Sequence, residues 1–338
     1  MLFRSVARSS STRAPACTGA LRPPARESAS LASSGAPSRP ASDRRIMAAR
    51  PAEDLLTALR LAHPEWRPLL ALVEEALWEV ERPEWRHSVP VIAASDPGVE
   101  PRLSGAVFTL ARRPIDRWVR RVLVTAAGAG PEPPFVDAPT MRRIDPSRLF
   151  QAAVAHDVDR LDEIARDVGD TRGVLRGLAP VITMPLLQAC RRAWKGQTPG
   201  TWPHGYCPTC GAWPTLAEIR GLDSTRHLRC RCCGEDWPTE WLRCPFCGEQ
   251  DHSQLGSLVS AAGLEREKVE ICDRCHGYLK TVTAFAPIRP EQVLLQDLAT
   301  VVLDVAAVER GYRPPSPRGP LAVKVVAGRA GLRGLLSR

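Results

Sequence analysis

Nine of the eleven cysteines in this 338-residue chain lie between Cys207 and Cys275, and eight of the nine form four Cys-x-x-Cys pairs. Two residues between cysteines allow one tight turn to direct both sulfur atoms at a single point, as in a metal-binding knuckle. The pairs are Cys207 with Cys210, Cys230 with Cys233, Cys244 with Cys247, and Cys272 with Cys275. Their type and spacing therefore predict thiolate coordination of metal ions.

The gaps between the pairs indicate how the pairs combine. Nineteen residues separate Cys210 from Cys230, and twenty-four separate Cys247 from Cys272, whereas only ten separate Cys233 from Cys244. Each longer gap can hold a hairpin, and a hairpin between two knuckles is the plan of zinc ribbons and rubredoxin-like modules. We therefore expect one ion on each of two sequential groups. These are the first set, Cys207, Cys210, Cys230 and Cys233, and the second set, Cys244, Cys247, Cys272 and Cys275.

The ligand type limits the chemistry of these sites. A closed four-thiolate site has no open coordination position, so we expect no water activation or Lewis-acid catalysis there. Zinc would be structural, iron would also allow one-electron transfer, and thiolates accept either metal. Cys232 is interpreted as a non-ligand, because a Cys-x-Cys pair with Cys230 fits a tetrahedral knuckle less well. The other residues expected to lie outside the sites are Cys17, Cys190, His204, His227, His252 and His276.

Apolar residues at spacings of three and four predict a helical domain over residues 47–200. Residues 86–114 are instead rich in Pro and Gly and are expected to be extended connections. The predicted helices run from Ala48 to about Trp85 with a break near Pro64, from Pro114 to Ala127, from Asp145-Pro146 to Val168, and from Gly173 to Trp194 with interruptions near Pro180 and Pro185.

Short β-like runs alternate with cysteine-rich turns after residue 200, which predicts an α+β fold class overall. The runs are 215–220, 225–229, 255–260, 268–271 and 279–285. We expect an all-α N-terminal domain, two small rubredoxin-like or zinc-ribbon-like modules and a C-terminal helix. The corresponding ranges are 47–200 for the helical domain, 201–240 and 241–289 for the two modules, 290–313 for the helix, and 314–338 for a flexible tail.

The formal net charge of +9 is concentrated at the N-terminus. Residues 1–46 contain eight arginines against Glu27 and Asp43, which leaves only +3 for the other residues. Such a segment buries too little apolar surface to fold, so we expect a disordered tail. An Arg- and Ser-rich start also resembles an organellar transit peptide, but we favour translation from Met47. No run of apolar residues has the length that a membrane span requires.

An ordered series of motifs runs through the C-terminal half and continues into the predicted last helix. The motifs are Tyr206-Cys-Pro-Thr-Cys-Gly211, Arg226-His-Leu-Arg-Cys230, Arg243-Cys-Pro-Phe-Cys-Gly248, Tyr278-Leu-Lys280, Asp297-Leu-Ala-Thr300 and Leu303-Asp304. A helical N-terminal domain with Pro101-Arg-Leu-Ser-Gly105 accompanies them. In these features the chain resembles the formate dehydrogenase accessory protein family, FdhE, over about residues 50–313.

The resemblance implies a function in enzyme assembly. Members of the family are cytoplasmic bacterial factors, not formate dehydrogenases themselves, that are needed to make active respiratory formate dehydrogenase. They bind its catalytic large subunit before export. The resemblance also implies two rubredoxin-like modules that bind iron, with zinc as the other metal that the thiolates accept. We expect no enzymatic activity of the chain itself.

On this hypothesis the catalytic subunit of formate dehydrogenase, the client, is held by exposed side chains that are not metal ligands. Aromatic and Arg side chains are typical anchors of protein interfaces. The candidates in this chain are Arg226, Trp237, Trp241, Tyr278 and Lys280. For the two tryptophans, packing over the metal knuckles is the alternative.

Two other functions compete with the assembly factor. Zinc ribbons often bind nucleic acid, but acidic residues are interleaved with the arginines of residues 196–285, so we expect no nucleic-acid partner. A dithiol oxidoreductase would require a thiol of low pKa, usually at a helix N-terminus, whereas these pairs lie in predicted β-turns and occur in matched fours.

Overall fold

This computed structural model describes residues 3–5, 51–91, 100–127, 142–170, 173–196, 202–260 and 266–328. Within these ranges the chain forms a helical part, then a sheet, then two short helices, so the expected α+β class is confirmed. Apart from strand residues 3–5, the predicted N-terminal tail lies outside the described residues. No helix in the described ranges is long and apolar enough to cross a membrane.

The helices of the described residues begin soon after residue 50. Short 3-10 turns at Pro64–Trp66 and Pro290–Gln292 precede two of these helices. The helices are α1 Pro51–Ala62, α2 Arg67–Val80, α3 Pro83–Arg86, α4 Arg112–Ala127, α5 Pro146–Val154, α6 Val158–Val168, α7 Val174–Ala193, α8 Val293–Ala299 and α9 Val301–Val308.

Helix α7 forms the centre of the helical part, and nearly every residue from Leu178 to Cys190 is buried. It packs against α2, α4, α5 and α6. The predicted interruptions at Pro180 and Pro185 are wrong, because both prolines lie inside one continuous helix. Packing on almost all sides offsets the backbone hydrogen bonds that the two prolines remove.

The predicted helix from Asp145 to Val168 is divided in two. Asp145 caps α5 by accepting the N–H of Ser147, as expected for Asp before Pro at a helix start. The chain then turns at His156, whose φ of 53° ends α5. The His156 ring nitrogen Nε2 lies 2.8 Å from the carbonyl oxygen of Cys210, so the turn links the helical part to the first knuckle.

One seven-stranded sheet joins both cysteine-rich segments. The strands of the described residues are β1 Phe3–Ser5, β2 Val107–Leu110, β3 Leu216–Arg220, β4 Thr225–Arg229, β5 Asp236–Pro238, β6 Leu255–Ser260, β7 Glu267–Cys272, β8 Tyr278–Ala284 and β9 Lys324–Ala327. Their order in the seven-stranded sheet is β1-β6-β7-β8-β3-β4-β5. The two predicted hairpins are present as β3–β4 and β6–β7. Strands β3 and β8 pair in parallel, so the two hairpins share a sheet.

Residues 314–328 differ from the expected flexible tail because they return to the helical part. Strand β9 pairs in parallel with β2, which lies in a region expected to be an extended connection. The Arg318 guanidinium carbon lies 3.3 Å from the centre of the Tyr206 ring, and Trp213 donates its indole N–H to the carbonyl oxygen of Ser316 at 2.9 Å. We call residues 314–318 the strap. These contacts are distant in sequence, so local composition did not indicate them.

The main buried core runs without a break from the helices into the first module. It includes Trp118 and Leu187 of the helical part together with Cys207, Cys233 and Trp237. A second, smaller cluster of Leu258, Val269, Leu303 and Ala307 lies where α9 packs on β7 and β8. The predicted C-terminal helix is two helices, α8 and α9, which meet at Thr300.

Candidate metal centres

Three of the four cysteine pairs adopt the same backbone turn, which is closed by the same two backbone hydrogen bonds. In the first turn the N–H of Gly211 donates to the carbonyl oxygen of Cys207 at 2.9 Å, and the N–H of Cys207 donates to Ala212 at 2.8 Å. The same two bonds recur at Cys230 and Cys244 with their own following residues. The glycine after each pair has a φ between 74° and 77° at Gly211, Gly234 and Gly248, a conformation that is unfavourable for residues with a Cβ.

The fourth turn uses a different residue for the same purpose. His276 follows Cys275 at the position that glycine occupies in the other three turns, and its φ is 54°. The N–H of Cys272 donates to the carbonyl oxygen of Gly277 at 3.0 Å, which closes the turn as in the other knuckles. The departure of this pair from the glycine pattern therefore leaves the knuckle intact.

The four sulfur atoms of the first set meet in the main core. The Sγ atoms of Cys207 and Cys233 are 3.5 Å apart, as are those of Cys210 and Cys230. All four residues have 0% exposure. The set is held between the β3–β4 hairpin ends and the helical part, where residues 101–105 also contribute: the N–H of Leu103 donates to the carbonyl oxygen of Thr209 at 2.9 Å.

The second set lies closer to the protein surface. The Sγ atoms of Cys244 and Cys275 are 3.8 Å apart, and those of Cys247 and Cys272 are 3.7 Å apart. Cys247 is exposed and Cys275 is half-buried, whereas Cys244 and Cys272 are buried. The two sets therefore share one geometry and differ in their access to solvent.

The spacing of the sulfur atoms fits a metal ion. A tetrahedron with metal–sulfur bonds of about 2.3 Å places its sulfurs about 3.8 Å apart, and the sulfurs of each set lie within 4.8 Å of one another. All eight cysteines are free of disulfide bonds. Burial raises the pKa of the Cys207, Cys210 and Cys233 thiols, because an apolar surrounding disfavours the thiolate. Four thiolates in the first set therefore need a cation beside them, and each set could hold one metal ion.

The residues expected to lie outside the two sets do so where the structure describes them. Cys190 is buried in α7, where burial raises the pKa of its thiol. Cys232 is also buried and hydrogen-bonds to Cys230, which raises the pKa of the Cys232 thiol. In the described ranges neither candidate group includes a histidine: His204 stacks on Tyr206, and His227 lies 3.1 Å from Arg220.

Arginines on the sheet are used for internal ion pairs. Arg229, nearly inaccessible, donates to the buried Glu218 at 2.8 Å, and Arg220 contacts the same carboxylate at 2.8 Å. Arg226 donates to Glu270 at 2.6 Å. These pairs connect β3, β4 and β7, so the three guanidiniums do not form a free basic surface on the sheet.

Three of the five residues expected to be exposed contact residues are instead buried. Arg226 is 3% exposed, Trp237 is 1% exposed and Lys280 is 3% exposed. Trp237 packs in the main core, as the packing alternative supposed. Tyr278 is half-buried and donates its hydroxyl to Asp304. Trp241, at 44% exposure, is therefore the one residue of the five whose side chain is exposed.

A buried polar network beside the first set was not predicted from the sequence. The Lys280 ammonium lies 2.6 Å from Asp297 Oδ1 and 2.7 Å from Asp304 Oδ2. Thr215 donates to Asp297 at 2.7 Å. The signal was available in the sequence as the motifs around Lys280, Asp297 and Asp304, but pattern alone does not show that they contact one another.

The fold and the paired knuckles define a protein in which a helical part and a shared sheet present two four-cysteine sets. Comparison with known families gives a match to the model "FdhE, C-terminal domain" over residues 242–319. The resemblance to the FdhE family that the motifs predicted is thereby confirmed, and it is supported by sequence matches to FdhE proteins that extend beyond this domain.

Three relatives illustrate the range of these matches. A protein FdhE homologue of Aquifex aeolicus is 30% identical over 117 residues, which cover 33% of this chain and 40% of that protein. A homologue of Pseudomonas aeruginosa is 33% identical over 161 residues, or 43% of this chain and 52% of that protein. A homologue of Edwardsiella ictaluri is 26% identical over 231 residues, or 66% and 70%. The first two matches thus span about half of the relatives' length or less.

One solved structure is also similar. The crystal structure of the FdhE protein from Pseudomonas aeruginosa superposes with a TM-score of 0.49 at 22% sequence identity. The superposition covers 80% of this chain and 94% of that chain.

Proposed function

We propose that this chain is a metal-binding accessory factor for the assembly of formate dehydrogenase and has no catalytic activity of its own. The observation that supports the proposal most strongly is the pair of four-cysteine sets on one sheet, within a chain that matches FdhE proteins. The eight cysteines serve as metal ligands. The resemblance favours iron, which supplies one-electron exchange when bound, while zinc would hold the knuckles without redox chemistry.

The client of the proposed function is the catalytic subunit of formate dehydrogenase, bound in the cytoplasm before export. The exposed face of the second module supports such a role. Trp241 and Leu242 are 44% and 54% exposed, and they border a groove of about 820 Å³ that also reaches Cys244 and Cys272. Leu242 has a φ of 54°, and a non-glycine residue in this conformation often marks a functional segment.

Hydrogen bonding fixes this face in place. Trp241 donates its indole N–H to the carbonyl oxygen of Ser224 at 3.0 Å, and the Lys268 ammonium lies 5.6 Å from the centre of its ring. A tryptophan held in this way presents a large rigid area at a low entropic cost, which is typical of interface anchors. We therefore place the client contact at Trp241 and Leu242, beside the second set.

Co-purification with a formate dehydrogenase catalytic subunit tests the proposal. We expect the full-length chain to retain the subunit, and the Trp241→Ala/Leu242→Ala variant to bind at least tenfold more weakly, as expected for the loss of about 1.4 kcal/mol or more. The matched control is Leu61→Ala, which removes an 80% exposed leucine from the helical part. Failure of the wild-type chain to retain any catalytic subunit would overturn the proposed function, and equal binding by both variants would overturn the assigned surface.

A further inference from the structure

A cavity of about 470 Å³ lies where the helical part, the first set, strand β8 and the strap meet. Its apolar wall includes Ala179, Pro180 and Trp213, and its polar wall includes Arg231, Asp297 and Arg318. Cavities of this size at the junction of two structural parts commonly bind small molecules. The charged groups in the wall determine which class of molecule fits.

The carboxylates in the wall are already occupied by neighbouring donors. Lys280 donates to the carbonyl oxygen of Asp297 at 2.7 Å, to its side chain at 2.6 Å and to Asp304 at 2.7 Å. Tyr278 donates to Asp304 at 2.9 Å and Thr215 donates to Asp297 at 2.7 Å. An ammonium group has three N–H donors, so Lys280 has none left for a ligand.

Two guanidinium groups in the wall keep most of their donors. Arg231 makes one long contact, 3.4 Å to Asp297, and its side chain is 44% exposed. Arg318 makes one hydrogen bond, 3.1 Å to the carbonyl oxygen of Gly211, while its guanidinium carbon lies over the Tyr206 ring. Since a guanidinium carries five N–H donors, both side chains can still donate to a ligand. The third arginine of the wall, Arg176, pairs with Asp162 through two nitrogens.

We propose that this cavity binds a small organic anion, with its carboxylate or phosphate group held by Arg231 and Arg318. The planar donor fork of arginine matches the oxygen atoms of both groups. The volume exceeds that of a simple inorganic ion, so the ligand also has an apolar body that lies against Trp213, Ala179 and Pro180. This binding site is independent of the proposed role in formate dehydrogenase assembly.

Isothermal titration of the full-length protein with three probes at constant ionic strength tests the inference. The probes are phenyl phosphate, benzoate and the neutral benzamide. We expect saturable one-to-one binding of at least one of the two anions, and the stronger of them identifies the preferred group. Benzamide should bind at least tenfold more weakly, because it offers no charge to the two arginines.

The variants separate specific from general effects. In Arg231→Gln/Arg318→Gln the affinity for the preferred anion should fall at least tenfold. The control Arg86→Gln changes an exposed arginine that pairs with Glu81 and does not line the cavity, and it should leave the affinity unchanged. If the double glutamine variant fails to fold by circular dichroism, the charge-conserving Arg231→Lys and Arg318→Lys variants replace it, and a loss of affinity is expected there as well.

Three outcomes would overturn the inference. They are the absence of saturable binding of both anions to the wild-type protein, benzamide binding as tightly as the preferred anion, and unchanged affinity in the folded arginine variants.

Discussion

The ammonium nitrogen of Lys280 lies 2.6 Å from Oδ1 of Asp297, in a place where Lys280 is 3% exposed and Asp297 is 9% exposed. Lys280 belongs to β8 and Asp297 to α8, so this ion pair attaches the C-terminal helices to the sheet. In the sequence the two residues belong to separate motifs, Tyr278-Leu-Lys280 and Asp297-Leu-Ala-Thr300. In the structure the two motifs contact each other through this buried ion pair, which gives a physical reason why one chain contains both.

The ion pair makes a prediction about stability. We expect Lys280→Met to lower the free energy of unfolding by about 3 kcal/mol, because it removes the nearest cation of the buried Asp297 carboxylate and leaves only the longer contact with Arg231. Urea unfolding followed by circular dichroism measures the loss. The control Lys324→Met changes an exposed lysine on β9 and should shift the stability by less than about 0.5 kcal/mol. Similar losses in both variants would contradict the account.

The same pair predicts a pH dependence. Burial disfavours the charged form of Asp297, but Lys280 and Arg231 hold the pKa of its carboxyl below the ordinary value. A depressed pKa in the folded state contributes stability above the unfolded value, and that contribution is lost as the pH falls through the folded value. The stabilisation from Asp297 should therefore be complete at pH 7 and decline below about pH 4.

The measurement compares the wild type with Asp297→Asn, whose unfolding free energies should differ more at pH 7 than at pH 3, by on the order of 1 kcal/mol. Tyr278 and Asp304 face the same site in both proteins, so their titration contributes to both curves. A difference that stays constant between the two pH values would show that the Asp297 charge is not stabilised in the fold.

Local patterns predicted the knuckles and hairpins well, because their geometry depends on residues close together in the chain. The hairpin β3–β4 closes within the segment from Leu216 to Arg229, and its ends carry Cys210 and Cys230. By contrast, the parallel pairing of β3 with β8 joins Leu216 to Lys280. Nothing in either segment alone identifies its partner, so the single shared sheet could not be predicted from the sequence.

Exposure was harder to predict than element type. Trp237 and Arg226 lie in short strands, where a polar or aromatic residue can face either side of a sheet. Both are buried, Arg226 because Glu270 on β7 neutralises it. His276 could not be assigned from its residue type either. It occupies, at a positive φ, the position that glycine has in the other three knuckles, and only the backbone geometry shows that the fourth knuckle forms.

The unequal exposure of the two sets predicts two rates of metal loss. In zinc-loaded protein mixed with excess chelator, we expect one ion to leave quickly and the other at least tenfold more slowly. The fast ion should come from the second set, since Cys247 is exposed, whereas all four cysteines of the first set have 0% exposure. Absorbance of a chelating dye records the two phases.

A serine substitution assigns the phases. Cys247→Ser should remove the fast phase and leave the slow one, and the control Cys190→Ala, which changes a buried cysteine outside both sets, should retain both. A single phase in the wild type, or a fast phase that survives in Cys247→Ser, would contradict the predicted difference between the sets.

The knuckle of Cys230 and Cys233, in the first set, is expected to be sensitive to an added methyl group. Gly234 has a φ of 74°, and a Cβ atom there would lie 2.5 Å from the Cβ of Pro290. Gly234→Ala should therefore destabilise the protein by about 3 kcal/mol, from strain and overlap together. Gly221→Ala is the matched control, because its φ of 59° is also positive but no atom lies within 4 Å. Its cost should be about 1 kcal/mol in the same urea titration, and equal costs would exclude the overlap with Pro290.

The metal content of the protein tests the central claim most directly. Elemental analysis of anaerobically purified full-length protein, combined with its visible spectrum and a titration of reactive thiols, measures how many ions the eight cysteines hold. We predict two metal ions per chain and few rapidly reactive thiols, with strong visible absorption if the ions are ferric iron. A protein that contains no metal and has eight rapidly reactive thiols would contradict the two four-cysteine metal centres.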